Sequence, residues 1–224
     1  MSTIAAFFDV DETLIKMKSM FHFYQYWSEL NGWKIKHQAF DKKFKEGLSQ
    51  GTPREELNRM YYREFSGVNI QDLNRAGEAW FKEFFGQSDI YIASAVNALN
   101  QHKKQGHITV FLSGSMQPIL QPLGHYLDVD AILAAPLVIN DAGILSGEIG
   151  QPQTIGMGKQ HALLAFSQKN NINLSGSYAY GDDLSDIPML EVTGNPICVG
   201  ANSKLAEYAQ QHHWNILDMN IADK

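Results

Sequence analysis

Cysteine is almost absent from this 224-residue chain: Cys198 stands alone. One thiol forms no internal disulfide and builds no thiolate metal site, so a reduced, cytoplasmic setting is the expectation. Positive charge is also in deficit, with 18 Lys and Arg against 24 Asp and Glu and a net charge of −6. With no dense basic run, nucleic acid and anionic membranes are poor partners. No apolar stretch approaches the roughly 20 residues that span a bilayer. The opening MSTIAAFFDV has no basic segment and meets an aspartate too early for a signal peptide. Only 7 prolines and a hydrophobic share of 44% describe a globular chain with material for a real core. Its length fits one large domain, or a core domain carrying a smaller insertion.

Short apolar runs bounded by turn residues predict buried strands at 4–8, 108–112, 131–133, 178–180 and 197–199. Helical patterns lie between them, at about 89–105, 117–126, 159–169, 185–192 and 203–212. Alternation of this kind predicts an α/β fold, a doubly wound parallel sheet with helices on both faces. Residues 136–149 read instead as a β-hairpin turning at Asn140–Gly143. The stretch 17–86 breaks the alternation: it is rich in aromatic and charged residues at helical spacing and shows no strand. Thr52-Pro53-Arg54-Glu55 looks like a helix start, with an N-cap, a proline and an acidic first turn. The expected division is a core of 1–16 and 87–224, with 17–86 as an inserted unit of three or four helices.

In open α/β sheets, ligands bind beyond the carboxyl ends of the strands. After the first strand come Asp9, Asp11 and Thr13; after the second, Ser113, Gly114 and Ser115. After 178–180 come Gly181, Asp182, Asp183 and Asp186, and Lys159 opens the helix before that strand. These groups suit phosphoryl transfer from a monoester. A carboxylate can act as nucleophile through an aspartyl-phosphate. A hard cation such as Mg²⁺, held by carboxylates, offsets the repulsion between two anions. Lys159 supplies a second positive charge, Ser113 and nearby N–H groups hold phosphate oxygens, and a second carboxylate moves the proton.

Four stretches in order resemble the haloacid dehalogenase superfamily. FFDVDETL is similar to its first motif, DxDxT; FLSGS at 111–115 to the second; Lys159 to the third; and YGDDLSDIPML at 180–190 to the fourth, GDxxxD. The helical insertion resembles the C1 cap of the phosphoserine-phosphatase-like branch, subfamily IB. The stretch between Ser113 and Lys159 is too short for the large alternative cap. The resemblance implies a Rossmann-like core and a Mg²⁺-dependent phosphatase acting on a small phosphorylated metabolite. It makes Asp9 the nucleophile and Asp11 the general acid/base, with the Asp11 backbone carbonyl on the metal. Asp9 and Asp182 become metal ligands, Asp186 orients metal-bound water, and Ser113, Gly114 and Lys159 bind phosphate. Asp183 falls at a variable position and takes no ligand role. Phosphoserine phosphatases carry a glutamate soon after the first motif, whereas here the stretch reads Lys16-Met17-Lys18-Ser19. That argues against phosphoserine and turns attention to Lys18, Arg54 and Arg59 as contacts for the rest of the substrate.

A phosphomutase or phosphotransferase would use the same aspartyl-phosphate with an acceptor other than water. A receiver-like signalling module also uses an acidic cluster with Ser/Thr, Lys and Mg²⁺, but in a shorter chain without a helical insertion. A non-catalytic scaffold would lack an essential group, and none is missing. The second DVD, Asp128–Asp130, precedes its strand and reads as a solvated loop on the opposite rim. His212-His213 read as helix-end residues, His161 as packing or solvent-facing and Cys198 as core. The aromatics Phe21, Phe23, Tyr24, Tyr26 and Trp27 read as insertion core, with one or two lining a substrate pocket.

Overall fold

The computed structural model describes residues 3–86 and 88–219. The expected boundary at Gln87 and the core's outermost residues, 1–2 and 220–224, lie outside the described residues. Strand β1 (Ala5–Phe8) is followed by four helices: α1 (Ser19–Leu30), α2 (Lys34–Ser49), α3 (Arg54–Arg63) and α4 (Ile70–Phe84). Next come α5 (Ala93–Lys104), β2 (Ile108–Met116), α6 (Gln117–Leu127) and β3 (Ala131–Ala135). A hairpin of β4 (Leu137–Ile139) and β5 (Leu145–Ile149) leads into α7 (Met157–Lys169) and β6 (Tyr178–Gly181). The chain then runs through α8 (Ile187–Leu190), β7 (Asn195–Val199), α9 (Lys204–Gln211) and β8 (Asn215–Leu217).

Six strands form one parallel sheet in the order β3-β2-β1-β6-β7-β8. The order reverses beside β1, so the carboxyl ends of β2, β1 and β6 lie side by side. Every residue of β1 is buried, as a central strand covered on both faces requires. One face packs Ala5, Phe7, Val110, Leu112 and Leu163, and the other continues through Phe8, Phe111 and Ile119 into the aromatic core of the insertion. Phe23, Tyr24, Trp27, Tyr61, Phe65 and Trp80 fill that core, and the Phe23 and Trp80 rings meet edge to face at 5.7 Å.

Two contacts seat the helical insertion on the sheet. Helix α4 lies against α6 so closely that a Cβ on Gly77 would stand 2.0 Å from the Pro118 carbonyl oxygen. The hairpin reaches the link between α3 and α4: Gly67 N–H donates to Leu145 O at 2.9 Å, and Ile70 N–H to Gly143 O at 2.8 Å.

Several details differ from the sequence expectations. Pro53 stands at the cap position of α3 itself, and Thr52 makes no capping bond. The helix expected over 185–192 is a tight turn, Leu184–Asp186, followed by the single turn of α8. Asp183 and Asp186 form a reciprocal capping box at its start, the helix-opening motif, and the helical stretch runs on only to Leu190. Strand β8 was not anticipated, because three residues carry too little pattern. Asp130 is more than solvated loop: its Oδ2 accepts from the Thr109 N–H at 2.7 Å and the Thr109 hydroxyl at 2.9 Å, pinning the start of β2. Among the described residues, no helix is long and apolar enough to cross a membrane.

Candidate active site

After Phe8 the chain leaves the sheet in a tight turn, with the N–H groups of Thr13, Leu14 and Ile15 all directed to the Val10 carbonyl. Glu12 takes a positive φ of 61°, a conformation unusual for a side-chain-bearing residue. The turn places Asp9 and Asp11 at the rim, with Asp9 buried and its N–H bonded to Tyr180 O at 2.9 Å. Beside it, β2 slips register between Leu112 and Met116, which sets Ser113 and Gly114 at the same rim. The Ser113 hydroxyl accepts from the Ser115 N–H at 3.1 Å, and Thr154 donates its hydroxyl to Ser113 O at 2.6 Å.

Lys159 sits in the first turn of α7, buried, with its ammonium 2.7 Å from Asp9 Oδ1 and 2.6 Å from Asp186 Oδ1. The other Asp186 oxygen accepts the N–H groups of Asp182 and Asp183, at 3.2 and 3.3 Å. Gly181 is required here, because a Cβ would stand 2.7 Å from the Asp186 side chain. Asp182 Oδ1 accepts the Thr13 hydroxyl at 2.7 Å.

One ammonium faces three carboxylates, and the titration behaviour follows. Burial pushes the Asp9 carboxyl well up; Lys159 opposes the shift, and the charges of Asp186 and Asp182 add to it. Burial, then the Asp186 charge, raises Asp182 to about 7 against the Thr13 hydroxyl. Burial works against the charge on Lys159, but Asp186 and Asp9 together outweigh it and hold the ammonium protonated. Asp11 is pushed up to about 6 by burial, with Ser19 opposing, and its Oδ1 has no hydrogen-bond partner.

Residues of α1, α2 and α3 line a half-open cavity of about 220 Å³ above this rim. Asp9, Asp11, Ser113, Gly114, Lys159, Asp182 and Asp186 all line it, so the sequence-predicted core residues come together. Lys18 and Arg54 line it as well, each already paired: Lys18 with Glu12 at 3.3 Å, Arg54 with Asp183 at 2.9 Å and with the Ser185 hydroxyl at 3.1 Å. Arg59 is not among the lining residues; it pairs with Glu56 at 3.4 Å. Of the five aromatics singled out in α1, Phe21 alone lines the cavity.

Sequence reasoning missed the face that α3 presents. Tyr62 donates its hydroxyl to the Gly114 carbonyl at 2.9 Å, Asn58 reaches the same oxygen at 3.5 Å, and Tyr61 lines the cavity. Spaced i, i+3 and i+4, these three share one side of the helix. An asparagine in the buried stripe with Leu57 was the available signal.

The donor set suits a hard cation. Asp9, Asp182 and Asp186 each offer a carboxylate oxygen within 4.8 Å of the others. Six acids and three cations line the cavity, so a phosphate dianion entering it needs added positive charge.

Comparison with known proteins bears on family and fold. The family profile of haloacid dehalogenase-like hydrolases matches residues 6–191. A protein of Mycobacterium tuberculosis named as a phosphoserine phosphatase is 25% identical over 99% of this chain and 73% of its own length. A Bordetella pertussis protein of unknown function shares the fold with a TM-score of 0.87 at 19% identity, covering 98% of this chain and 100% of that one. A phosphoserine phosphatase solved as a phospho-aspartyl intermediate analogue aligns with a TM-score of 0.65 at 18% identity, over 98% and 95% of the two chains.

Proposed function

Because the chain belongs to the haloacid dehalogenase-like hydrolases, we propose that it is a Mg²⁺-dependent phosphatase. It would cleave a small phosphomonoester through an aspartyl-phosphate on Asp9, with 17–86 acting as a cap over the site. The observation that carries this reading is the convergence of Asp9, Asp11, Lys159 and Asp182 on one half-open cavity at the sheet's carboxyl edge. The name of the mycobacterial relative supports a phosphatase.

In this mechanism Asp9 attacks phosphorus, and the bond from phosphorus to the leaving oxygen breaks as Asp11 passes it a proton. A carboxyl pushed up to about 6 can both give and take a proton near neutral pH. Asp11 then takes a proton from water as its oxygen attacks the aspartyl-phosphate. Inorganic phosphate leaves and the Asp9 carboxylate is restored. Lys159 balances charge on Asp9 and the phosphoryl oxygens, while Ser113 and the N–H of Gly114 hold those oxygens in place. Asp9, the Asp11 backbone carbonyl and Asp182 would hold the ion, and Asp186, with both oxygens engaged, would orient its water. When bound, Mg²⁺ supplies positive charge that lets two anions approach.

The test is metal-dependent phosphate release from a panel of small esters and one activated aryl phosphate. The expected result is release that needs Mg²⁺ and falls at least about 10³-fold in Asp9→Asn. Release that survives the substitution overturns the mechanism.

A further inference from the structure

The peptide that joins Gly114 to Ser115 is held at both of its polar ends. Its carbonyl oxygen accepts the Tyr62 hydroxyl at 2.9 Å and, at the longer distance of 3.5 Å, the Asn58 side-chain amide. Its N–H, on Ser115, donates to the Ser113 hydroxyl oxygen at 3.1 Å. With that oxygen accepting, the hydroxyl's own proton is the part left to donate into the cavity that Ser113 lines. A chain of bonds thus runs from α3 in the insertion, through one peptide plane, to the proton that a phosphoryl oxygen would receive. Bonds linked in this way polarise one another and fix a common geometry.

That plane is one the backbone alone would hold loosely. Gly114 has no room for a side chain, since an added Cβ would stand 2.7 Å from Ile155 Cγ1. A residue without Cβ also lets the peptide beyond it turn more freely than any other would. Pairing of β2 with β1 ends at Phe111, and its pairing with β3 is interrupted between Leu112 and Met116. The regular ladder stops short of this plane, and side chains orient it. Tyr62 is 1% exposed and is not among the lining residues, so it acts on the cavity through Gly114 and not by touching a ligand.

We infer that Tyr62 is a positioning residue for phosphoryl binding: its hydroxyl orients the peptide between Gly114 and Ser115 and so aims the Ser113 hydroxyl at a phosphoryl oxygen. This rests on the phosphatase reading, and adds that the insertion helps to build the phosphate subsite it half covers. Because the contact acts at the phosphoryl end, it serves every ester alike, whatever the alcohol.

Tyr62→Phe in the full chain tests it, since the ring stays against Tyr61 and only the hydroxyl is lost. Each variant is assayed well below its own Tm. Mg²⁺-dependent kcat/KM should fall about tenfold, by the same factor for an activated aryl phosphate and for an alkyl phosphate. The inhibition constant of inorganic phosphate should rise about 3–10-fold, because the product uses the same subsite. In a Ser113→Ala background the same substitution should cost less than about twofold, since the hydroxyl it aims is gone. A tyrosine that only packs would give equal losses with and without the Ser113 hydroxyl, and that result overturns the inference. Native kcat/KM and native phosphate inhibition in Tyr62→Phe, or a loss confined to one ester, overturn it equally. With Asp9-dependent cleavage intact, those outcomes leave the phosphatase reading standing. If the native chain cleaves no ester through Asp9, the phosphatase reading falls and takes this inference with it.

Discussion

His102 shows how a single side chain couples this fold to pH. It is 5% exposed, with Nδ1 2.8 Å from His107 Nδ1 and Nε2 2.8 Å from the Tyr180 hydroxyl. Burial, then the neighbouring His107, lowers its pKa from 6.5 to about 4. Between those values the unfolded chain binds a proton that the folded chain refuses, so this residue removes stability as pH falls from about 6.5 to 4. The full effect is on the order of 3 kcal/mol. The raised carboxyls of Asp11 and Asp182 act in the opposite direction, since the folded state holds their protons more tightly. Urea unfolding at pH 7.5 and 5.0 should therefore show stability shifting more favourably on acidification in His102→Asn than in the native chain. An equal shift in both would contradict the assignment. At this scale the sequence is most legible in the placement of side chains that follow a strand directly, as with Asp9, Asp11 and Asp182, which all line the cavity. Tyr61 and Asn58 were not legible, because their meaning depends on which face of α3 meets the rim.

Element by element, the parallel strands and the helical insertion follow from period and composition, and the hairpin from Asn140–Gly143. What period does not encode is how closely two elements approach. Gly77 in α4 reads as a weak helix position, yet it is the point where α4 rests on the Pro118 carbonyl. Gly77→Ala would force the helix away from α6 and cost about 2–3 kcal/mol. In a chain of this length that corresponds to a Tm lower by about 5–10 °C, measurable by calorimetry. No change in Tm would mean that the two helices are not seated as described.

At the scale of the whole molecule, the sheet gathers carboxylates at a rim that α1–α3 half cover, and on the proposed reading a bound cation offsets their mutual repulsion. A ligand that binds only the folded state stabilises it, by about 2.7 kcal/mol at one hundred times its dissociation constant. Mg²⁺ should raise Tm in the native chain and much less in Asp182→Ala; an equal rise in both would place the ion elsewhere. The position of the insertion between β1 and β2 was legible from the break in alternation. The approach of α3 to the rim was not, since the Arg54 contact with Asp183 joins residues far apart in sequence. The most direct test of the account is to quench the enzyme with acid while it turns over an activated aryl phosphate, then locate the phosphoryl group by peptide mass spectrometry. The account predicts a phosphoryl group on Asp9, absent when Asp9→Asn is treated identically. A phosphoryl group on a different side chain, or turnover by Asp9→Asn at the native rate, would contradict it.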